Sequence, residues 1–155
     1  MIEYYTRAIE LNPEYTKAYN YRGNAYDDIK EYEKAISDYN RAIVLNYEYG
    51  DAYENLSELY IRTGNYTSAL DAITEVLSLS LQIKDRAVFL YLECIAKKML
   101  HLDISDCEKE FNEIHKRKFE TTWSFAEIES WLEDISNDQK AFIIEKTELL
   151  KEHKR

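Results

Sequence analysis

The sequence predicts an all-α chain of stacked helix pairs, and three observations carry that prediction. A fixed period of 34 residues runs through the first half: Tyr15, Tyr19, Tyr26, Tyr32 and Ala35 recur as Tyr49, Tyr53, Tyr60, Tyr66 and Ala69. In the other direction, NRAIVLN at 40–46 repeats TRAIELN at 6–12. A repeat of this length is one supersecondary unit that buries its apolar face only by stacking on its neighbours. Within each period the apolar residues fall three and four apart, the spacing of a single helix face. One Pro and three Gly are also too few to turn the many hairpins of an all-β protein.

Residues 2–13 read as a half repeat, the second helix of a pair whose first helix is absent. Its inner side, Tyr5, Ala8 and Ile9, is then expected to be partly uncovered. Because an exposed stacking face is sticky, those three residues are a candidate self-association surface. The same feature fits a chain that is part of a longer array.

Residues 14–47 form the first full repeat. Tyr19, Arg22, Gly23 and Tyr26 share one side of its first helix. Tyr32, Ala35, Ile36, Tyr39, Ala42 and Ile43 share one side of its second, with the turn at Lys30-Glu31. Gly23 and Ala35 are small where large residues face them, which permits close approach. Residues 48–83 form the second full repeat, with Tyr53, Ser57 and Tyr60, then Ala69, Ile73 and Val76. Gly64-Asn65 supplies a turn residue able to take positive φ.

These residues resemble the tetratricopeptide repeat, over roughly residues 2 to 83. That family places an aromatic, a small residue four later and an aromatic three beyond in its first helix, here Tyr19, Gly23 and Tyr26. Its second helix carries a small residue, an aromatic and a small residue, here Ala35, Tyr39 and Ala42. The family's Pro appears as Pro13, with Tyr47 in the equivalent place one copy later. The resemblance implies a right-handed superhelical array whose first helices line a concave, partner-binding face.

The array continues as a degenerate third repeat over 84–120, so that it spans 1–120. Setting Cys107, Phe111 and Ile114 where Ala69, Ile73 and Val76 stood requires about one added helical turn, placed near Gln82–Asp85. The stretch from Leu77 to Leu102 is apolar around most of a helix and is therefore expected to be buried on most sides. Residues 121–155 would cover it as a divergent cap. Ser124 to Glu127 reads as a capping box before Ile128, Trp131, Leu132 and Ile135, with Trp123 in the same small core. A last helix opens at Ser136-Asn137-Asp138, carries Phe142, Ile143, Lys146, Leu149 and Leu150, and ends on Lys151, Lys154 and Arg155, which suit the negative end of its dipole.

Signs of catalysis are missing: there is no Gly-rich phosphate loop and no nucleophile elbow. Cys94, His101, Asp103, Cys107 and His115 fit no closed metal site, and both cysteines fall on packing faces, as buried inert thiols do. The chain is read as a non-enzyme without metal or cofactor. Two isolated cysteines suggest no disulfide framework and a reducing, cytoplasmic setting. A net charge of −10 disfavours nucleic acid and anionic membranes.

What remains is a binding face. Once the packing residues are assigned, the resemblance leaves Lys17, Asn20, Asn24, Asp27 and Asp28 on the first concave helix. One period on come Asp51, Glu54, Asn55, Glu58 and Arg62. Asparagines hold a peptide backbone in either direction, and the carboxylates favour a basic ligand. The chaperone-carboxylate clamp of this family matches only at Asn24 and Asn55. Asn20 stands where it needs lysine, and Glu54 and Glu58 would repel a carboxylate. Tyr4, Tyr21 and Tyr47 are the tyrosines not demanded by packing. The expected function is a protein-interaction adaptor or scaffold for a basic or polar segment, and the alternative is a homo-oligomer joined through the N-terminal helix.

Overall fold

The computed structural model describes residues 1–79, 83–117 and 136–152, apart from the side chains of 83–85 and 138. Among these residues there are helices and no strands: α1 (Ile2–Leu11), α2 (Thr16–Asp28), α3 (Tyr32–Leu45), α4 (Gly50–Arg62), α5 (Tyr66–Leu77), α6 (Ile83–Met99), α7 (Ser105–His115) and α8 (Asn137–Lys151). The architecture is that of a helical repeat array. It divides into two compact units, Met1–Leu59 and Tyr60–Arg155, so the division falls within α4.

The period extends to individual hydrogen bonds. Each pair closes on one residue in the left-handed region: Lys30 (φ 62), Gly64 (φ 79) and His101 (φ 56). At each, two backbone bonds reach back over the helix end, Lys30 N–H to Asp27 O and Glu31 N–H to Tyr26 O in the first pair. Gly64 and Asn65 repeat them onto Ile61 and Tyr60, and His101 and Leu102 onto Lys98 and Lys97. These are the paired 5→2 and 6→1 bonds that satisfy the last carbonyls of a helix. Helices α1 and α3 also end alike. Asn12 Oδ1 accepts from Glu14 N–H at 3.1 Å, and Asn46 Oδ1 accepts from Glu48 N–H at 3.1 Å, an Asx turn that redirects the backbone into the next helix.

In the first unit α2 packs along α3, and α1 packs on α2. The α2–α3 contact is close because Gly23 lies flat against the Tyr39 ring. Ala18, Ala25, Ala35 and Ala42 keep the remaining crossings short, and Ala52, Tyr53, Leu56 and Leu59 of α4 are buried as well.

In the second unit α6 is enclosed by α5, α7 and α8. Its run from Ala87 to Leu92 and from Cys94 to Ala96 is buried throughout, as its all-round apolar pattern requires. Part of its cover comes from α8, which buries Ile143 and Leu150. There Thr147 donates to Ile143 O at 2.7 Å, so the Tyr91 hydroxyl is the donor in its 2.6 Å bond to Thr147 Oγ1. Lys146 is buried on the same face and pairs with Glu108 of α7 at 2.8 Å.

Two details differ from the sequence reading. The extra length of the third pair is not before α6: α6 has 17 residues against 13 in α2 and α4. It starts on schedule and overruns at its C-terminal end, where the all-round burial of its middle sustains a longer helix. Cys94 and Cys107 are not isolated either. Both are buried, and their sulfurs are in contact across α6 and α7. The expected helix from Ser124 to Ile135, Trp123, the boundary at 120, and Lys154 and Arg155 lie outside the described residues.

Candidate functional site

Three asparagines from two helices form the centre of the candidate face in the first unit. Asn20 and Asn24 lie one turn apart on α2, and Asn55 comes from α4. Asn55 Nδ2 donates to Asn20 Oδ1 and to Asn24 Oδ1, both at 3.0 Å. Asn24 Oδ1 accepts a second bond, from the Tyr39 hydroxyl at 2.9 Å. A core tyrosine of α3 thus fixes Asn24, Asn24 orients Asn55, and Asn55 ties α4 to α2. The network uses the Asn24 carbonyl twice and the Asn55 amine twice. Among the described residues, the Asn24 amine and the Asn55 carbonyl have no hydrogen bond, so one donor group and one acceptor group remain for a ligand.

The charged residues around this centre differ in their exposure. Lys17, Asp28 and Asp51 are exposed, Asp27 and Glu54 are half-buried, and Glu58 is buried. Asn20, read from the sequence as part of a surface stripe, is only 2% exposed and acts as a structural acceptor. Glu58, read the same way, is 8% exposed. Arg62 ends α4 and belongs to the second unit. Beside Asn20, burial pushes the Tyr49 phenol well above its usual range, and Asp51 and Tyr21 add to that shift. Its hydroxyl therefore stays protonated across the physiological range.

A second polar centre lies on the other side of α2. Arg22 grips Asp38 of α3 with two bonds of 2.7 Å, from Nε to Oδ2 and from Nη2 to Oδ1. Its Nη1 donates to Thr6 Oγ1 of α1 at 3.2 Å, and its guanidinium lies over the Tyr19 and Tyr26 rings. One residue therefore links α1, α2 and α3. The hydrogen bond to Asp38 holds the Arg22 pKa above its ordinary value. The sequence pattern places Arg22 on the packing side but carries no signal for Asp38, because an aspartate in a helix reads as solvent-facing.

On α1, Tyr5, Ala8 and Ile9 are half-buried, and none of the helix's side chains is fully buried. Tyr5 sits 5.7 Å from the Tyr21 ring and 5.3 Å from Tyr4. Tyr4 is 73% exposed, and Tyr21 and Tyr47 are exposed too.

Among the described residues no group of three His, Cys, Asp or Glu is placed to hold a metal ion. No described helix is long and apolar enough to cross a membrane.

Family models for the tetratricopeptide repeat match residues 16–46 and again residues 50–83. Among solved structures the protein is similar to YrrB, a TPR protein with an unusual peptide-binding site. The match has a TM-score of 0.59 at 18% identity and covers 99% of this chain and 76% of that one. No curated protein sequence matches closely enough to count as a relative.

Proposed function

Since this is a tetratricopeptide-repeat protein, we propose that it is an interaction module holding a basic or polar peptide segment along α2 and α4 of its first unit. A protein-interaction role follows from the repeats themselves. The finer reading rests on the asparagine network. With Asn20 locked in place, Asn24 offers an amine and Asn55 a carbonyl, the complements of a peptide's backbone carbonyl and amide N–H. Asp28 comes one turn after Asn24 on α2, and Asp51 one turn before Asn55 on α4, with Glu54 next to Asn55 in sequence; their negative charge steers a cationic segment toward the pair. That a similarly folded protein binds peptides is consistent with this use of the scaffold. We place the interaction in the cytoplasm, on a protein with a strong acidic excess and only two cysteines.

Asp51→Lys combined with Glu54→Lys is expected to weaken binding of a lysine- and arginine-rich peptide by roughly tenfold or more, chiefly through slower association. Titration calorimetry at low and high salt reads this, and the wild-type affinity should fall as salt rises. Equal affinity for the double variant and the wild type would sink the proposal. Glu58 is a poor choice for charge reversal, because its burial would confuse lost binding with lost folding.

The alternative, self-association through α1, is favoured by the incomplete burial of that helix. It predicts a dimer in light scattering that survives high salt and that Ile9→Lys dissociates. A monomer at every concentration would remove it.

A further inference from the structure

Helices α6 and α7 bring together two cysteines 13 positions apart in sequence. Cys94 Sγ and Cys107 Sγ lie 2.7 Å apart, both are free thiols, and both are buried, 1% and 3% exposed. A single buried cysteine is an inert small hydrophobe. Two in direct contact on neighbouring helices are instead positioned for covalent chemistry, because exchange needs one sulfur to reach the other.

The two sulfurs are not equivalent. Cys94 donates its S–H to Cys107 Sγ, while Cys107 in its thiol form donates to Ile104 O at 3.1 Å. The bond from Cys94 favours the thiolate at Cys107 and lowers its pKa, with Lys97 helping and burial and Glu93 opposing. The same bond, reinforced by burial, pushes the Cys94 pKa up. Cys107 is therefore the attacking sulfur and Cys94 the resolving one. Cys107 also sits in the first turn of α7, just after exposed His101, Leu102 and Asp103. A local opening of that turn is the shortest route for a small reagent.

We propose that Cys94 and Cys107 form a reversible disulfide staple between α6 and α7, made by exchange with a small-molecule disulfide of the glutathione type. The Cys107 thiolate attacks one sulfur of the oxidised reagent, the reagent's S–S bond breaks, and one thiolate leaves. The Cys94 thiolate then attacks Cys107 Sγ, and the second reagent thiolate leaves from the mixed disulfide. Two protein thiols lose two protons and two electrons; the reagent takes up both and departs as two thiols. The staple joins α6, the helix on which α5, α7 and α8 all pack, to α7, and so makes the third helix pair responsive to the thiol–disulfide balance around it.

The test incubates the full-length protein in glutathione buffers of rising oxidised-to-reduced ratio, quenches with acid, and alkylates the remaining thiols before intact-mass analysis. The expected result is loss of both titratable thiols and of two hydrogen atoms per molecule, with no glutathione attached. A digest should contain one cross-linked peptide joining Cys94 to Cys107, and dithiothreitol should reverse the change. Cys94→Ser should trap one glutathione on Cys107. Two glutathiones on the natural protein would overturn the proposal. So would two unreacted thiols at every ratio in the folded protein, with reaction only after unfolding in guanidinium. Both readouts come from the natural sequence, so poor folding of the serine variant leaves the test intact.

Discussion

Gly23→Val is expected to destabilise the first unit by about 3 kcal/mol, seen as a fall in the thermal midpoint by circular dichroism. A Cβ at position 23 would lie 2.5 Å from Tyr39 Cε1 and 2.7 Å from Cδ1. Such a clash is mild when the opposing atoms end a flexible side chain, but here they cannot move aside. The Tyr39 ring is buried, and its hydroxyl is held by Asn24. Moving the ring would therefore break the bond that orients Asn24 and, through it, Asn55. Gly23→Ala should behave similarly but more mildly, because alanine's better helix propensity recovers up to about 1 kcal/mol. Gly50→Ala is the control: nothing lies within 4 Å of a Cβ there and its φ is unexceptional. It should leave stability unchanged or raise it by about 0.5 kcal/mol. A Gly23→Val variant as stable as wild type would mean that α2 and α3 can separate at this crossing, and the close approach would not be needed.

The same crossing shows how much the sequence discloses. The spacing of Tyr19, Gly23, Tyr26, Ala35, Tyr39 and Ala42 identifies the helix pair and its small-against-large contact, because apolar periodicity reports which side is covered. Polar residues carry no such mark. The binding stripe is read by subtraction, as whatever the packing residues leave over. Subtraction cannot separate an asparagine facing water from one facing another asparagine across two helices, so it assigns Asn20 to the surface although that residue is buried. Glu58 and Asp38 escape for the same reason. Lys146 illustrates the converse: its place among Phe142, Ile143 and Leu150 is readable, but its partner Glu108 is not, since that pairing joins two different helices. The contact between Cys94 and Cys107 likewise follows from α6 packing on α7, which no local pattern encodes. The closure of the third pair is hidden by its residue type, for His101 takes a left-handed conformation that a glycine advertises and a histidine does not.

Asp38→Ala is expected to cost about 3–5 kcal/mol, comparable to removing a large core side chain, although it removes a charged residue whose partner is also charged. The Arg22 and Asp38 side chains are only 16% and 7% exposed. Removing the carboxylate leaves a guanidinium that has given up most of its water and lost its two shortest bonds; Thr6 and the Tyr19 and Tyr26 rings replace only part of them. Salt should not rescue the variant, because screening acts on exposed charge. Arg7→Ala is the contrast: its pair with Glu10 is 70% and 56% exposed, and its loss should change stability by under about 1 kcal/mol. The decisive variant removes both charges, Arg22→Met with Asp38→Leu. If the cost of Asp38→Ala is the stranded charge, the double variant should recover most of the lost stability, since packed apolar groups replace a buried pair with little loss. If it is as unstable as Asp38→Ala, the link from α1 through α2 to α3 depends on the bidentate geometry itself. A chemical-denaturation series on the wild type, Arg22→Met, Asp38→Leu and the double variant separates the two cases through their coupling energy.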